Sequence, residues 1–483
     1  MSRHYLTTTI PYVNAAPHLG FALELVQADV LARHRRLRGG EVRFLSGTDD
    51  NSLKNVLAAE AAGVPVREFV DRNADRFAAI REPLALSFDD FIRTSKDPRH
   101  RPGVERFWAA CVAAGDIYQK HYEGLYCVGC EQFYTAEELV GGLCPEHGTA
   151  PEWVSERNWF FRLSRYQDRL LELIESDRLR IQPTARRNEV IAFIRSGLRD
   201  LSISRSQDRA RGWGIPVPAD PSQVIWVWWD ALCNYLTTLN DADFQHWWAG
   251  SDRRVHHIGK GVVRFHAVYW PAMLLSAGIA EPTDILVHDY LTVNGQKLSK
   301  SAGNVVDPVE LVERYGTDAV RWWLLREVPR LGDADFTVER LIARSNADLA
   351  GGVGNLTSRV TSMVHRYRDG VVPETEADPL GAGVEAEIDA AVEEFDFRGA
   401  TAALWRVVED ANRLIEATRP WELAKDPGKA AELDQVLGRL VAALRLIAAE
   451  LAPFLPDAAG RIAEQCRPVN GVLPEPAPLF PRF

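Results

Sequence analysis

The stretch PYVNAAPHLGFALELVQADV, residues 11–30, joins a turn-rich loop to a clean helical pattern. The residues before it, YLTTTI at 5–10, are mostly β-branched or apolar, as in a buried strand. The sequence therefore predicts a strand, a loop that ends with His18 and Gly20, and a helix over about 18–38. This order of strand, loop and helix decides the fold that we expect for the first half of the chain.

Alternation of strands and helices continues beyond this stretch. A second strand is predicted at 42–46 and a second helix at 52–62. Apolar strand patterns followed by helices return at 223–232 and 255–259, and a further strand is predicted at 284–293. Strands separated by helices favour a parallel sheet with right-handed crossovers. We therefore predict a nucleotide-binding α/β fold with a Rossmann-type parallel sheet.

Two other regions depart from this pattern. The region of about 116–222 contains clustered cysteines and tryptophans and is interpreted as an insertion into the α/β domain. After about residue 340, apolar residues recur at three- and four-residue spacing. This spacing predicts amphipathic helices, and hence a C-terminal α-helical bundle. The stretch DGVVPETEADPLGAG, residues 369–383, is predicted to be a loop between two of these helices.

Composition and charge limit the class of protein. The chain has 483 residues, of which 46% are hydrophobic and 25% charged, so several domains are expected. A net charge of -11 gives no global basic field for nucleic acid. The stretches at 33–38 and 184–199 are locally basic, with a solvated helix face as the alternative interpretation. No membrane-length apolar run and no signal-like opening is present, so we expect a cytoplasmic protein.

The clearest chemical motif consists of two metal-ligand pairs. Cys127-x-x-Cys130 and Cys144-x-x-His147 provide three thiolates and one imidazole, which satisfy tetrahedral zinc and leave no open position. We therefore predict one structural Zn²⁺ ion in the insertion. The alternative is a chance arrangement of free cysteines in a reducing compartment. Three further cysteines have no such partners and are expected in the core: Cys111, Cys233 and Cys466.

Two loops have the composition of anion sites. His18 and Gly20 lie where a strand passes into a helix N-terminus, which favours phosphate. The loop NGQKLSKSAGN, residues 294–304, contains Lys297 and Lys300, two ammonium groups that can stabilise charge on transferring phosphates. A capping histidine in an ordinary turn and a solvated turn are the respective alternatives. Both loops in one nucleotide fold are harder to obtain by chance than either alone.

A third group is aromatic and lies near the predicted ends of strands, on the side where open α/β sheets bind ligands. Aromatic rings suit a polarizable thioether, and Asp49, after a predicted strand, is suited to a substrate ammonium group. For each ring taken singly, a place in the hydrophobic core is the alternative. The members of this group are Tyr12, Trp228, Trp229, Tyr235, Phe265, His266 and Trp270.

At this point the sequence resembles the class I aminoacyl-tRNA synthetases, and among them the methionine-specific family of the single-zinc bacterial type. PYVNAAPHLG and KLSKS resemble the two signatures of the family, and YCVGCEQFYTAEELVGGLCPEH resembles its zinc-binding connective insertion. WVWWDALCNYL, HHIGK and RFHAVYWPAML resemble the blocks that build its methionine pocket. The resemblance covers nearly the whole chain.

The resemblance implies roles for particular residues. Methionine would be held by Ile10, Tyr12, Asp49, Trp228, Ala231, Tyr235, Val262, Phe265, His266 and Trp270. ATP would be held by His18, Gly20, Phe21, Gly259, Lys297, Ser299 and Lys300, with His18, Lys297 and Lys300 as the catalytic residues. Asn355, Arg359 and Trp421 would bind the anticodon, in keeping with how single-stranded RNA is bound.

It also implies an organisation and a set of ligands. The expected ligands are ATP with Mg²⁺, L-methionine and tRNA(Met), and the expected state is a monomer. The predicted domains are a Rossmann catalytic domain in two halves at 1–115 and 223–293, the zinc-binding connective insertion at 116–222, the KLSKS loop and stem-contact region at 294–345, and the helical anticodon-binding domain at 346–483.

Departures from the family pattern cluster in the ATP half. Phe21 stands where the first signature has its second histidine, Asn51 and Ser52 replace His-Gly, and Gly261 replaces an aspartate near the ribose. Losing one preorganised donor costs on the order of 3 kcal/mol. The alternative function is therefore an impaired or specialised, resistance-type paralogue that binds tRNA or methionine without efficient ATP activation. A synthetase for leucine, isoleucine or valine would need a larger editing insertion, and a small nucleotidyltransferase would not account for the zinc pairs or helical tail.

Overall fold

The computed structural model describes residues 2–129, 132–146, 148–297, 305–375 and 378–483. The chain divides into two compact units. The first unit comprises residues 1–17, 38–81 and 87–288, and the second unit comprises residues 18–37, 82–86 and 289–483. Within the described residues, no helix is long and apolar enough to cross a membrane.

A six-stranded parallel sheet organises the first unit, as predicted. Its strands lie in the order Asp90–Arg93, Glu41–Thr48, Arg3–Thr8, Arg253–Gly259, Asp284–His288 and Arg180–Gln182. The chain leaves the strand Arg3–Thr8 for a neighbour on one side and later returns on the other. The carboxyl end of this strand is therefore a topological switch point, where α/β sheets bind ligands.

Three details of the sheet differ from the sequence predictions. The run at 223–232 is a strand only over Asp220–Ile225, which pairs antiparallel with Ser204–Ser206, and Val227–Thr237 is a helix. A short apolar run does not distinguish a buried strand from a buried helix. The predicted strand at 284–293 is interrupted after His288. Finally, Arg180–Gln182 falls inside the range predicted as an insertion and yet pairs with the parallel sheet.

The remaining elements of the first unit surround this sheet or form its insertion. An antiparallel sheet has the order Gln132–Tyr134, Ile117–Cys127, Glu152–Phe161 and Leu201–Ser202, and a smaller one has the order Pro216–Val217, Asp220–Ile225 and Ser204–Ser206. The α-helices are Leu53–Ala61, Val66–Ala79, His100–Ala113, Gln167–Glu175, Thr184–Arg195, Val227–Thr237, Asp241–Asp243 and Trp270–Ser276. Two π-helices, Phe244–Ala249 and Phe265–Tyr269, precede the strand Arg253–Gly259 and the helix Trp270–Ser276.

In the second unit the helix predicted at about 18–38 extends over Leu19–Leu37. A small sheet has the order Gln296–Lys297, Leu291–Val293 and Ala334–Asp335, and helices make up most of the rest, as predicted. They are Pro308–Tyr315, Thr317–Arg326, Val338–Arg344, the π-helix Ser345–Gly354, Asn355–Arg368, Val384–Glu393, Phe397–Thr418, Pro420–Leu423, Ala430–Leu451 and Pro456–Gln465. No helix or strand occurs in the described part of the predicted loop at 369–383.

A buried ion pair joins two helices of the second unit. Arg321 and Asp29 are both fully buried, and Arg321 Nη2 lies 2.8 Å from Asp29 Oδ2. The guanidinium group also donates to the backbone oxygens of Leu84, Pro453 and Phe454. Because every charged group here has partners, the helix Leu19–Leu37 is fixed against the helices of the C-terminal part.

Candidate active site

Three aromatic side chains of the predicted methionine pocket contact one another in the first unit. Trp228 and Phe265 stack face to face, with their ring centroids 3.7 Å apart and an interplanar angle of 6°. Tyr12 meets Trp228 edge-on at 6.2 Å. Tyr12 follows the strand Arg3–Thr8, Trp228 lies in the first turn of the helix Val227–Thr237, and Phe265 begins a π-helix. The fold thus brings together rings from three distant parts of the sequence.

A second group of rings is held by hydrogen bonds. His266 Nδ1 lies 2.9 Å from the carbonyl oxygen of Val262, so this nitrogen carries the proton, and Nε2 accepts from the hydroxyl of Tyr235 at 2.8 Å. Trp270 Nε1–H donates to His256 Nε2 at 3.2 Å. His256 is therefore neutral, with its proton on Nδ1 toward Thr7, and burial lowers its pKa well below the ordinary value.

Asp49 lies in a loop beside these rings and is 1% exposed. Its backbone N–H donates to Pro11, and it forms a parallel bridge with Tyr12, which ties the loop to the pocket. Its Oδ1 accepts from the backbone N–H of Asn51 at 3.2 Å, an Asx turn that orients the carboxylate. Lys54 Nζ lies 5.1 Å from the ring centroid of Tyr12. A buried carboxylate next to aromatic rings suits a ligand with an ammonium group and an apolar end.

The other predicted pocket residues belong to the same core. Ile10 and Val262 are partly buried against it, and Ala231 is almost fully buried. Trp229 is different, because it packs among Phe107, Trp108 and Phe161, at centroid distances of 5.4 to 5.8 Å. Trp229 is therefore a residue of the hydrophobic core, which was the alternative to a place in the pocket.

Two buried residues that the sequence analysis did not identify support this site. His100 Nε2 lies 2.5 Å from Asp230 Oδ1, and both residues are almost fully buried. Asp230 Oδ2 accepts from Asn51 Nδ2 at 2.7 Å. The acidic residue inside the apolar run WVWWDAL was a signal of a buried polar contact, but no spacing in the sequence points to His100 as its partner.

The loop with His18 belongs to the second unit. The backbone N–H of Gly20 donates to His18 Nδ1 at 3.0 Å, which leaves the imidazole proton on Nε2. The N–H of Phe21 donates to the carbonyl oxygen of His18 at 2.9 Å, and that of Leu19 donates to Val306. The Phe21 side chain is 7% exposed. The loop is thus closed by backbone hydrogen bonds that do not depend on the side chain at position 21.

Other predicted nucleotide-binding residues are described in part. Lys297 lies in the strand Gln296–Lys297, whereas Ser299 and Lys300 lie outside the described residues. Gly259 ends the strand Arg253–Gly259 of the first unit. The structure therefore locates the start of the lysine loop but not its second lysine.

The predicted zinc ligands are also described in part. Cys127 and Cys144 are each 1% exposed and form a small cluster with Tyr134, although the strand Gln132–Tyr134 lies between them in the sequence. The backbone N–H of Cys144 donates to Thr149, and the Cys144 thiol lies 3.8 Å from the Tyr134 hydroxyl. Cys130 and His147 lie outside the described residues. Among those described, no group of three or more histidine, cysteine or acidic residues is arranged to hold a metal ion.

The predicted anticodon residues lie in helices of the second unit. Asn355 and Arg359 lie one turn apart in the helix Asn355–Arg368. Arg359 Nη1 donates to Asn412 Oδ1 at 3.1 Å, and Asn412 is itself fixed by a bond to the carbonyl oxygen of Val408. Trp421 is 41% exposed, which is unusual for so large an apolar side chain.

Comparison with known proteins identifies the family. The sequence matches the family model described as "tRNA synthetases class I (M)" over residues 4–150 and 146–361. The methionine–tRNA ligase of Brucella suis biovar 1 is 42% identical over 511 residues, which cover 100% of this chain and 98% of the relative. This chain belongs to the methionyl-tRNA synthetase family. The methionine–tRNA ligase of Caldanaerobacter subterraneus subsp. tengcongensis is 43% identical over 474 residues, 95% of this chain and 73% of its own length.

A solved structure agrees with this assignment to the methionyl-tRNA synthetases. The Mycobacterium tuberculosis methionyl-tRNA synthetase in complex with methionyl-adenylate superposes with a TM-score of 0.92 at 41% identity, covering 100% of both chains. The predicted family and the α/β fold with a C-terminal helical region are confirmed, and the chain is a ligase enzyme.

Proposed function

We propose that this enzyme activates L-methionine with ATP and transfers the methionyl group to tRNA(Met). The observation that carries the proposal is the ring pocket of Tyr12, Trp228 and Phe265 beside the buried carboxylate of Asp49. Methionyl-tRNA synthetases related over the full length of the chain support the same function. They also count against a paralogue that only binds its ligands.

Methionine binding follows from the chemistry of this pocket. The substrate ammonium group would pair with Asp49, and the thioether would contact the rings of Trp228 and Phe265, since sulfur–aromatic contacts are favourable. The Tyr235 hydroxyl donates to His266 and is therefore oriented within the same group of rings. An apolar pocket of fixed shape, with one charged group at one end, selects an amino acid by its side chain.

The first reaction forms methionyl-adenylate. A carboxylate oxygen of methionine attacks the α-phosphorus of ATP, the bond from that phosphorus to the bridging oxygen breaks, and pyrophosphate leaves. The protein supplies positioning and charge stabilisation rather than a covalent nucleophile. His18 Nε2–H, which the bond from Gly20 to Nδ1 leaves protonated, would donate to a phosphate oxygen. Lys297 and Lys300 would carry charge toward the same phosphates, and Mg²⁺ would accompany ATP as its counterion.

The second reaction transfers the methionyl group. A ribose hydroxyl of the terminal adenosine of tRNA(Met) attacks the methionyl carbonyl carbon, and AMP leaves with the bonding electron pair. Binding of the anticodon would involve Asn355, Arg359 and Trp421. The Asn412 contact keeps the Arg359 guanidinium in one orientation, and the exposed ring of Trp421 offers a surface for base stacking.

We propose one structural zinc ion in the connective insertion. Cys127 and Cys144 come from separate ligand pairs and lie in one small buried cluster, which fits a metal held by both pairs. Cys130 and His147 would complete the ligand set. The cluster has little apolar core of its own, so the metal would hold this lobe together.

The zinc content of the purified protein tests this proposal. We expect one zinc per chain in the wild type and in Cys466→Ser, which changes a buried cysteine outside the cluster. Cys144→Ser should lose the metal and lower the melting temperature. A wild type that is purified without zinc, with the same melting temperature in chelator, would contradict it.

Charging of tRNA tests the proposed function as a whole. We expect labelled methionine to become attached to tRNA(Met) in the presence of ATP and Mg²⁺. Binding of tRNA with no charging would instead support the impaired paralogue. We further propose that the enzyme acts in the cytoplasm as a monomer. A light-scattering mass of twice 54.1 kDa would exclude the monomer.

A further inference from the structure

A chain of buried polar contacts leads from His100 to the carboxylate of Asp49. His100 is fully buried, and its Nε2 lies 2.5 Å from Asp230 Oδ1. The second carboxylate oxygen of Asp230 accepts from the side-chain amide of Asn51 at 2.7 Å. The backbone N–H of Asn51 then donates to Asp49 Oδ1 at 3.2 Å. All four residues belong to the first unit.

The backbone of this loop is also held at Asp50 by Asn55, Thr94 and Trp213, and the contacts of Asn51 add the bonds that lie beside the Asp49 carboxylate. In the Asx turn, the direction of the Asp49 carboxylate depends on where the backbone of Asn51 lies. The bond from the Asn51 side chain to Asp230 restrains that backbone at Asn51 itself. A buried carboxylate needs partners for its oxygens, and Asp230 has His100 on one and Asn51 on the other. Loss of either partner would leave this charge poorly compensated.

The position of Asp230 gives the network a second connection. It lies two residues after Trp228 in the helix Val227–Thr237, which also carries Tyr235. The other ring nitrogen of His100, Nδ1, is hydrogen-bonded to Thr237 Oγ1 at 2.8 Å, and Thr237 is the last residue of the helix that carries Asp230. The loop of the ammonium site is therefore bonded directly to the helix that carries two side chains of the ring pocket.

We infer that Asn51, held by Asp230 and His100, is a positioning residue for the site that binds the α-ammonium group of the substrate. The inference rests on the proposed function, and it assigns a role to a position where this chain departs from its family. Asn51 acts through Asp49 and does not itself contact the substrate. Its removal should therefore weaken methionine binding, whereas the KM for ATP should stay unchanged.

The test compares variants at position 51 with a matched control. Asn51→Asp keeps the shape but places a carboxylate against that of Asp230, so the bond becomes a repulsion. Asn51→His retains a side-chain N–H donor and restores the residue type of the family. Asn158→Asp makes the same chemical change at a fully buried asparagine whose amide donates to Ser202 in the insertion sheet. Methionine binding is measured by calorimetry, and KM and kcat by methionine-dependent ATP–pyrophosphate exchange.

We expect Asn51→Asp to raise the Kd and KM for methionine by roughly tenfold or more, the effect of losing a hydrogen bond to a charged group. Asn51→His should stay close to the wild type, and Asn158→Asp should leave methionine binding unchanged. If Asn51→Asp does not fold, His100→Asn breaks the same network one step further back. It should raise the Kd in the same direction by a smaller factor.

Two results would overturn the inference while leaving the proposed function intact. In the first, the wild type binds methionine and folded Asn51→Asp or His100→Asn binds it equally well. In the second, Asn158→Asp weakens methionine binding as much as Asn51→Asp, which would indicate general destabilisation. A wild type that binds no methionine would overturn the proposed function and the inference together.

Discussion

The ring pocket and the His18 loop differ in how they are held, by contacts between side chains in the first and by hydrogen bonds of backbone N–H groups in the second. In the pocket each side chain is a partner of another, since Trp228 contacts both Tyr12 and Phe265, and Tyr235 contacts His266. In the loop the backbone N–H groups of Leu19, Gly20 and Phe21 donate hydrogen bonds, two of them to His18. Replacing a ring of the pocket would therefore remove contacts to its neighbours. Replacing the side chain at position 21 leaves the hydrogen bond from its backbone N–H to the carbonyl oxygen of His18 in place.

The backbone geometry of the loop does not depend on the chemistry of the side chain at position 21. Phenylalanine at position 21 leaves the backbone bond to His18 in place, but it supplies no polar group for a phosphate. We therefore expect substitutions in the pocket to change methionine affinity. Substitution at position 21 should change the rate of the chemical step.

The largest effect is expected at the carboxylate of the pocket. Asp49→Ala removes the partner of the substrate ammonium group and should lower kcat/KM for methionine in pyrophosphate exchange by about 10² to 10³. The exposed acidic residue Asp208 provides a control, and Asp208→Ala should match the wild type. Equal activity of Asp49→Ala and the wild type would show that Asp49 does not bind the substrate.

A gain of activity is expected from a substitution at position 21, in the first turn of the helix Leu19–Leu37. Phe21→His supplies a donor where the family has one, and should raise kcat of pyrophosphate exchange by roughly 10-fold to 10²-fold. The KM for methionine should not change, because the pocket residues are unaltered. An unchanged kcat would show that another group already supplies the missing contact. A changed KM for methionine would show that position 21 also affects methionine binding, which would contradict the separate roles of pocket and loop.

A smaller effect is expected from the stacked pair. Phe265→Leu keeps an apolar side chain but loses the ring that stacks on Trp228 at 3.7 Å. The ring would also contact the substrate thioether, and since a sulfur–aromatic contact contributes about 1 kcal/mol, the KM for methionine should rise several-fold. Phe160→Leu, which changes a ring that packs on Tyr118 in the insertion sheet, is the control. A methionine KM equal to that of the wild type would exclude Phe265 from the pocket.

The smallest effect concerns stability as a function of pH. Burial lowers the pKa of His256 well below its ordinary value of 6.5, so the folded protein keeps this ring neutral while the unfolded chain becomes protonated. The unfolded state therefore binds more protons below about pH 6.5, and the free energy of unfolding falls as the pH falls. His256→Gln should lose less stability between pH 7.5 and pH 5.5, both values being about one unit from the ordinary pKa. Parallel melting curves for the two proteins would contradict this.

The sequence predicted the parallel sheet, the helix over Leu19–Leu37 and the helical C-terminal part, because each has a clear periodic pattern. It did not separate strand from helix in the run at 223–232, where apolar residues are continuous and both structures bury them. Arg180–Gln182 was missed as a strand of the main sheet because three residues give no detectable period.

The residues of the candidate site could also be predicted only in part from the sequence. Tyr12, Asp49, Trp228 and Phe265 were predicted as site residues from motifs, and the structure places them in one series of contacts. Trp229, which is adjacent to Trp228, was a candidate as well, but it turns into the core. The bond of His100 to Asp230 joins positions 130 residues apart and leaves no pattern in the sequence. Only tertiary structure pairs such isolated polar residues.

Methionine-dependent ATP–pyrophosphate exchange by the wild-type protein tests the central claim most directly. The assay is run with methionine and, as controls, with leucine, isoleucine and valine. We expect exchange with methionine alone, since the proposed pocket has its rings and Asp49 and the loop has His18. No exchange with any of the four, by a folded protein that still binds tRNA(Met), would contradict it.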